Sequence, residues 1–373
     1  MGENCINDQY KLLAPLGKKA LIVTGTKSAK ANGSYEDVLK ALAANGQDYV
    51  LYDKVMANPT DVCVFETGTL GKKENCDFVI AIGGGSPMDA AKAAAVIAAE
   101  KNVIPKEDLF NVSFTNALPI IVIPTTAGTG SETTQYSVLV DTTEEDGFSP
   151  KIGGPMKRSV SSPLLFPQLA FLDAKYMIDL NREITVNTVI DALSHAVEGM
   201  LSQKTHYMSD VLAVESISMI MDTMDDLLNF PADAGSFPFK KREQLLLASA
   251  LAGMVIAQTG TVLPHSMGYL FTINWGTDHG RANGLLMESF LSWCREKEQT
   301  VTITPRIPKL CSALGMELEK FFAILERLLV KREKATEPEL ALWSTLPMKN
   351  AANTYIQPNQ EEITRIYYES VGR

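Results

Sequence analysis

The segment from Phe78 to Ala99 constrains the fold more than any other part of the sequence. A run of apolar residues, Phe78–Ile82, leads through the turn GGGSP into an alanine-rich stretch, Met88–Ala99, of helical period. A buried strand that passes directly into a helix is typical of βαβ units. The segment therefore predicts a parallel sheet with helices on both of its faces.

The rest of the first half repeats this alternation of strands and helices. A helix is predicted at residues 35–45, and further strands are predicted at residues 20–24, 49–52, 119–124 and 169–172. Turn-forming and charged residues dominate between Val140 and Ser162. This composition indicates a loop or a small hairpin.

The second half has a different pattern. After Asp173 the candidate strands stop, and apolar residues recur with helical spacing. Helices are predicted at residues 186–201, 209–228, 241–258, 283–296 and 318–330. A chain of 373 residues is also too long for a single ordinary core. We therefore expect an α/β domain over residues 1–175 and an all-helical domain over residues 176–373.

Composition and charge exclude several classes of protein. The formal net charge is −10, and the basic residues are scattered rather than gathered into a patch, which argues against nucleic-acid binding. No stretch reaches the roughly 18 uncharged apolar residues of a membrane span. The N-terminus carries acids where a signal peptide needs basic and apolar residues. Five cysteines, an odd number without metal-site spacing, indicate reduced thiols in a cytoplasmic protein.

Two glycine-rich loops follow two of the predicted strands. Gly83, Gly84, Gly85 and Ser86 open the predicted helix, where free backbone N–H groups and the helix dipole favour a phosphate. A tight turn into a helix would also explain this loop. The second loop, Pro124–Glu132, offers glycines and hydroxyls at the edge where open α/β sheets bind ligands. Together the two loops predict a dinucleotide site.

The chain has only four histidines, and three of them have acidic or glycine neighbours in the predicted helical half. Asp191 and His195 are four residues apart, a spacing on one helix face that suits one metal ion or a hydrogen-bonded surface pair. His265 and His279 would complete a site of three nitrogens and one carboxylate, with open positions for a substrate oxygen. Such ligands suit Fe²⁺, Zn²⁺ and other divalent ions. We interpret His206 as a surface residue.

Five motifs taken together resemble those of the iron-activated, or group III, alcohol dehydrogenase family: GGGSPMDAAKA, PTTAGTGSE, DALSHAVEG, PHSMGY and DHGRANG. The resemblance runs from about residue 10 to the C-terminus. It implies a Rossmann-like, parallel-sheet dinucleotide-binding domain followed by an all-helical metal-binding domain, an architecture similar to that of dehydroquinate synthase.

The resemblance also implies roles for individual residues. Asp191, His195, His265 and His279 would bind the metal and act in catalysis through it. The residues that it places against the cofactor are Gly84, Gly85, Ser86, Thr125, Thr126, Thr129 and Lys157.

The sequence departs from the family's pattern in several places, and two of these concern the candidate site. Members that prefer NAD resemble one another in having an acidic residue after the first strand, where this chain has Thr24-Gly25-Thr26-Lys27-Ser28. An acid would bond the ribose 2′-hydroxyl and repel a 2′-phosphate, so Gly25 and Ser28 beside a lysine predict NADP(H) over NAD(H). Many members also have a histidine four residues after the ligand that corresponds to His265, and Tyr269 occupies that position here.

The function that the resemblance implies is that of a metal-dependent, NAD(P)-linked alcohol dehydrogenase or aldehyde reductase with Fe²⁺ or another divalent ion. The ion would lower the pKa of the bound alcohol, so that hydride passes to the nicotinamide. Tyr136 and Tyr269 are the candidate substrate-binding residues, and Tyr269 is also a candidate catalytic residue, although aromatic packing would explain both. Because the helical half has no basic cluster, we expect a short neutral alcohol or aldehyde as substrate. We also expect a homodimer.

Three alternatives stay open at this point. Sugar-phosphate cyclases are non-redox lyases that resemble the family in architecture and in using a nicotinamide cofactor and a metal, but they need cationic residues for the substrate's phosphate. Glycerol-type dehydrogenases would combine zinc with a polyol. A non-catalytic NADP-binding or scaffold protein would not need the complete ligand set.

Overall fold

The computed structural model describes residues 1–100, 104–105, 108–111, 113–142, 156–231, 237–330, 332–346 and 348–372. Contacts between residues divide the chain into two compact units. The first contains the described residues of 1–145, 155–180 and 238–246, and the second contains those of 181–237 and 247–373. The domain boundary expected after residue 175 stays a prediction.

The described part of the first unit has seven strands: β1 (Lys19–Gly25), β2 (Asp48–Val55), β3 (Phe78–Gly83), β4 (Ile120–Pro124), β5 (Tyr136–Asp141), β6 (Met156–Ser161) and β7 (Leu169–Ala170). Five of them form one parallel sheet in the order β2-β1-β3-β4-β7, which confirms the predicted α/β class. The loop or hairpin expected at residues 140–162 corresponds to β5 and β6, which pair antiparallel. Residues 143–155 of that segment lie outside the described residues.

The helices of the first unit are α1 (Cys5–Asp8), α2 (Ser28–Ala31), α3 (Ser34–Ala44), α4 (Asp61–Lys73) and α5 (Gly85–Ala99). They cover both faces of the sheet, and this explains why its strands are apolar at successive positions. Leu21 and Val23 of β1 pack in one core cluster with the alanines of α5. Ala20 and Ile22 point the other way and pack in a second cluster with α3.

The strand order reverses at β1, because β2 pairs on one side of it and β3 on the other. Thr24 of β1 lies beside Ile82 of β3, so the two strands end together at Gly25 and Gly83. In open α/β sheets the carboxyl ends of the strands at such a switch point bind ligands. The fold therefore brings two predicted cofactor segments to one edge of the sheet.

The second unit contains α6 (Arg182–Met200), α7 (Tyr207–Met221), α8 (Met224–Leu228), most of α9 (Phe239–Thr259), α10 (Leu263–Trp275), α11 (His279–Thr300), α12 (Ile307–Leu314), α13 (Leu318–Leu329), α14 (Glu337–Trp343) and α15 (Gln360–Val371). This confirms the predicted helical half. Helix α6 is its central element, since every side chain from Thr185 to Met200 except that of Thr188 is buried. The Asn181 side chain caps α6 by accepting a hydrogen bond from Ile184 N–H.

Among the described residues, no single helix combines the length and apolarity of a membrane span. Helices α9 and α10 meet that criterion only as a pair, and this pair is bent by 113°.

Candidate metal centre and dinucleotide loops

The four predicted ligand residues come together in the second unit, where they lie on three helices. Asp191 and His195 are on α6, His265 is on α10 and His279 is the first residue of α11. The first three are buried, and one possible ligand atom from each lies within 4.8 Å of the others. The His279 side chain is 26% exposed, which leaves one side of the group open.

The imidazole rings are arranged so that their Nε2 atoms face the carboxylate. His195 Nε2 and His279 Nε2 each lie 3.9 Å from Asp191 Oδ1. The ring of His265 stacks on that of His195 with 4.7 Å between centroids and meets that of His279 edge-on at 5.0 Å. Three imidazoles and one carboxylate form a donor set that suits Fe²⁺ or Zn²⁺, so these residues fit the implied ion.

A close helix crossing brings His279 to Asp191. A Cβ atom added to Gly280 would lie 1.9 Å from the carbonyl oxygen of Asn187 and 2.7 Å from Asp191 Cβ. Only glycine therefore allows the start of α11 to touch the backbone of α6. The Asn187 amide also donates a hydrogen bond of 2.7 Å to Asp278, the residue that precedes α11.

Glu198 orients the ligand on α10. Its Oε1 lies 2.6 Å from His265 Nδ1, and its Oε2 accepts a hydrogen bond from Val262 N–H at 2.8 Å. Because Nδ1 is engaged by Glu198, Nε2 is the nitrogen that faces the other ligand atoms. Burial raises the pKa of Glu198 well above its usual range, and the hydrogen bonds from Val262 and His265 oppose that shift.

Sequence reasoning missed Glu198 and also Asn283, whose side-chain amide contacts the ligand atoms. A signal for both was present in the helical spacing. Glu198 is seven residues after Asp191 and three after His195, and Asn283 is four residues after His279. Each therefore lies on the same helix face as a ligand.

Tyr269 and Tyr136, the two candidate substrate residues, lie in different units. Tyr269 is on α10, where its ring stacks on that of His279 with 5.4 Å between centroids. Tyr136 is the first residue of β5 in the first unit, and burial raises the pKa of its hydroxyl. Tyr269 is therefore part of the ligand cluster's surroundings, and a role for either residue stays a prediction.

The two glycine-rich loops of the first unit touch one another. A Cβ atom on Gly84 would lie 2.9 Å from Thr126 Oγ1, and one on Gly85 would lie 2.8 Å from Thr129 Cγ2. Thr125 N–H donates a hydrogen bond to the Gly83 carbonyl at 3.0 Å. The helix begins at Gly85, three residues before the stretch of helical period that starts at Met88 in the sequence.

Two charged residues of α5 form hydrogen bonds with the second loop and with the chain that follows it. Lys92 is completely buried, and its Nζ donates hydrogen bonds to the carbonyl oxygens of Thr134 at 2.9 Å and of Tyr136 at 3.0 Å. Asp89 accepts hydrogen bonds from Ser131 Oγ at 2.7 Å and Val138 N–H at 2.9 Å. We call the half-buried Asp89 and the buried Lys92 the α5 pair; its hydrogen bonds fix the end of the second loop and the chain that follows it.

The remaining candidate cofactor residues lie in the same unit. Gly25 ends β1 and Ser28 begins α2, with Ser28 exposed. Ser86 Oγ accepts a hydrogen bond from Asn58 N–H at 3.3 Å. Lys157 is on β6 opposite Val140; burial raises the pKa of Asp89, and the positive charge of Lys157 lowers it. Their contacts with a dinucleotide stay predictions.

Comparison with known proteins agrees with this arrangement. A family model described as iron-containing alcohol dehydrogenase matches residues 1–174, and a second, the C-terminal model of the Fe-containing alcohol dehydrogenase family, matches residues 185–371. An iron-containing alcohol dehydrogenase of known structure from Thermotoga maritima shares 36% sequence identity with this chain. That similarity covers 100% of this chain and 97% of the other, with a TM-score of 0.88.

Two curated relatives are similar over a shorter part of their length. Lactaldehyde reductase of Escherichia coli strain K12 is 32% identical over 272 residues, which are 72% of this chain and 66% of that protein. The NAD-dependent methanol dehydrogenase of Bacillus methanolicus is 30% identical over 288 residues, which are 77% of this chain and 71% of that protein.

These matches confirm the predicted family and the predicted class of enzyme, an oxidoreductase that acts on alcohols. They favour oxidoreduction over the lyase and scaffold alternatives. The chain belongs to the iron-containing alcohol dehydrogenase family.

Proposed function

We propose that this chain is a metal-dependent, nicotinamide-linked alcohol dehydrogenase that also reduces the corresponding aldehydes. The observation that carries the proposal is the convergence of Asp191, His195, His265 and His279 in a member of this family. In one direction the alcohol gives a hydride to the oxidised cofactor and a proton to solvent, and an aldehyde forms. The reverse direction consumes the reduced cofactor and a proton.

A divalent ion, Fe²⁺ by the family's description and Zn²⁺ or another ion by donor chemistry, would polarise the substrate oxygen in either direction. The residues themselves supply orientation and charge. Asp191 contributes a buried negative charge, and Glu198 fixes the ring of His265. Burial of three of the four ligand side chains keeps competing water away from them.

The glycine-rich loops are proposed to bind the cofactor's pyrophosphate. Gly84 and Gly85 lead into the N-terminus of α5, where backbone N–H groups have no partner within the helix and the helix dipole is positive. The α5 pair holds the end of the second loop in place, so the two loops present a fixed surface to the cofactor. Thr125, Thr126, Thr129 and Lys157 are the side chains proposed to complete it.

NADP(H) is proposed as the preferred cofactor. Thr26, Lys27 and Ser28 are exposed after β1, and none of them is acidic. The neighbouring acid, Asp53 on β2, forms an ion pair with Lys30 at 2.6 Å, and this hydrogen bond lowers the pKa of Asp53. A 2′-phosphate bound beside Gly25 would therefore meet two lysines and a neutralised carboxylate rather than an acid that repels it.

The proposed substrate is a short, neutral alcohol or aldehyde, with Tyr136 and Tyr269 beside it. This follows from the lack of a basic cluster in the helical half of the sequence, which a phosphate or carboxylate substrate would require. The two curated relatives have small substrates in their names, lactaldehyde and methanol. A homodimer in the cytoplasm completes the proposal.

The test is a comparison of NADPH and NADH oxidation by the metal-reconstituted protein with a panel of short aldehydes. We expect turnover with both cofactors, a higher kcat/KM for NADPH, and reversal of this preference in Gly25→Asp. His265→Ala should abolish turnover. His206→Asn, which replaces an N-cap histidine of α7 with another capping residue, is the matched control and should be active. An absence of turnover by protein that holds its ion would contradict the proposed function.

A further inference from the structure

Asn283 is a polar side chain at the metal centre that the ligand set does not use. It lies on α11, one turn after His279, and it is completely buried. Its Nδ2 lies 3.2 Å from Asp191 Oδ1, 3.1 Å from His265 Nε2 and 3.5 Å from His279 Nε2. One amide nitrogen therefore contacts three of the four candidate ligand atoms.

The position of this nitrogen reduces the electrostatic repulsion between the candidate ligand atoms. A carboxylate oxygen and the unprotonated nitrogen of a neutral imidazole are both hydrogen-bond acceptors. Acceptors that converge on one point repel each other unless a donor or a cation lies among them. The carboxamide of Asn283 supplies two N–H bonds at that point without adding a charge.

The other end of the amide is fixed by the space around it. Within the described residues, Asn283 Oδ1 is buried and has no hydrogen-bond partner. A Cβ atom added to Gly268 of α10 would lie 2.6 Å from this oxygen. Gly268, three residues after His265, therefore leaves room for the carboxamide. The hydrogen bonds that hold Asn283 are thus those of its nitrogen to the ligand atoms.

We propose that Asn283 is a positioning residue of the metal centre. In the ion-free protein its amide holds together the carboxylate of Asp191 and the rings of His265 and His279. With an ion bound, each Nε2 would use its single lone pair on the ion, and the amide would keep its hydrogen bond to Asp191 Oδ1, which has lone pairs to spare. This remaining hydrogen bond orients the carboxylate and thereby affects how tightly the protein binds its ion. The inference rests on the proposed function, which requires the metal centre. Hydrogen bonds to ligating groups typically change metal affinity by about 10- to 100-fold.

The experiment measures ion binding alone, without substrate or cofactor. Co²⁺ is titrated into the ion-free protein in competition with a chelator, and its visible absorption bands report the geometry of the ligands. Three variants are compared with the wild type: Asn283→Ser, which removes the amide and leaves space; Gly268→Ala, which displaces the amide without removing it; and the double variant. Asn274→Ser, on the same helix as His265, is the control.

We expect Asn283→Ser to bind Co²⁺ roughly 10- to 100-fold more weakly, with shifted absorption bands. Gly268→Ala should weaken binding by a smaller factor, and the double variant should match Asn283→Ser within about twofold, because no amide is left to displace. The control should bind as the wild type does. A residue that only fills space between the helices would change the thermal stability but not the absorption bands.

Wild-type affinity in Asn283→Ser would overturn the inference, and so would independent effects of the two substitutions. If Asn283→Ser does not fold, as judged by circular dichroism, Gly268→Ala decides alone, and unchanged affinity in that variant overturns the inference. If the wild type itself binds none of Co²⁺, Fe²⁺ and Zn²⁺, the proposed metal centre is wrong. That result differs from every result that tests Asn283.

Discussion

The candidate metal centre and the two loops that we propose to bind the cofactor are built in opposite ways. The metal centre consists of side chains that three helices bring together from distant parts of the chain. The loops offer mainly backbone N–H groups from two short segments that follow β3 and β4. The side chains of the α5 pair support the second of these segments from the neighbouring helix.

This difference predicts which substitutions should abolish binding at each site. A metal centre made of side chains should lose its ion when one ligand is removed, while the fold is kept. A site made of backbone should tolerate most side-chain changes and fail where a glycine must let two segments touch, as at Gly85. Variants that separate ion binding from cofactor binding test this contrast directly.

The largest effect is expected for Asp191→Ala. Loss of the carboxylate removes the charge that balances the ion, so kcat/KM should fall by about 10³-fold or more and the purified protein should hold little metal. Cofactor affinity, measured by fluorescence titration of the reduced nicotinamide, should stay within about twofold of the wild type, since the loops belong to the other unit. An equal loss of cofactor affinity would break the contrast.

Gly85→Ala is expected to have the opposite effect: it should weaken cofactor binding and leave metal binding unchanged. The new Cβ would meet Thr129 Cγ2 at 2.8 Å, so the loops must move apart. The dissociation constant for the cofactor should rise by roughly 10- to 100-fold, with bound metal unchanged. Thr129→Ser removes the methyl group involved, and the double variant should recover most of the affinity. Without that recovery, a steric clash with Thr129 would not be the cause of the loss.

An intermediate effect is expected for Glu198→Gln. The amide keeps the size of the side chain but cannot accept from both Val262 N–H and the His265 ring as two carboxylate oxygens do. The His265 ring should then be less well oriented, and the affinity for Co²⁺ should fall about tenfold. Glu319→Gln, at an exposed glutamate of α13, is the control. Unchanged affinity would show that orientation of this ligand does not depend on Glu198.

The sequence predicted best the features that depend on local order. The strand, turn and helix around residues 78–99 follow from apolar runs and glycine, and the parallel sheet follows from their repetition. Asp191 and His195 were also visible, because helical spacing alone places them on one face. His265 and His279 were added because the chain has only four histidines, and the family resemblance implied the same set; spacing along the chain does not connect them to Asp191.

Contacts between distant residues could not be predicted in the same way. Glu198 and His265 are 67 positions apart, and Asn283 and His265 are 18 positions apart on different helices. The spacing of apolar residues within a helix does not predict which other helix it will pack against. The partners of a buried polar side chain become known only when the packing is known.

The sequence analysis missed several helices, among them α4, α10, α12, α14 and α15, and predicted one helix where the structure has two. The reason can be identified in two cases. Helix α4 contains Gly68, which lowers helix propensity, but a Cβ atom there would lie 2.6 Å from Ile97 Cβ of α5. Gly68 made the helix hard to predict from the sequence, but the close packing of α4 against α5 requires a glycine there. The predicted helix at residues 209–228 is divided into α7 and α8, because the backbone is interrupted at Asp222 and Thr223.

The smallest predicted effect concerns the pH dependence of stability in the first unit. Burial lowers the pKa of Lys92 from 10.5 to about 8, although Asp89 and Glu132 oppose the shift. Between these two values the unfolded chain holds a proton on this lysine that the folded chain has released. Folding stability from this group therefore rises with pH across that window.

Lys92→Met keeps a long side chain and removes the titration. The free energy of unfolding of the wild type, minus that of the variant, should increase by at most about 1.4 kcal/mol per pH unit between pH 8 and 10.5. Urea unfolding below and within that window measures the difference, and Lys204→Met, at an exposed lysine, is the control. A constant difference would mean that Lys92 keeps its proton across this window and supports the chain after the second loop as a charged hydrogen-bond donor. A rising difference would show that Lys92 is neutral in the folded protein above about pH 8, so that this site is stabilised by the loss of a buried charge, whereas the metal centre requires the buried charge of Asp191.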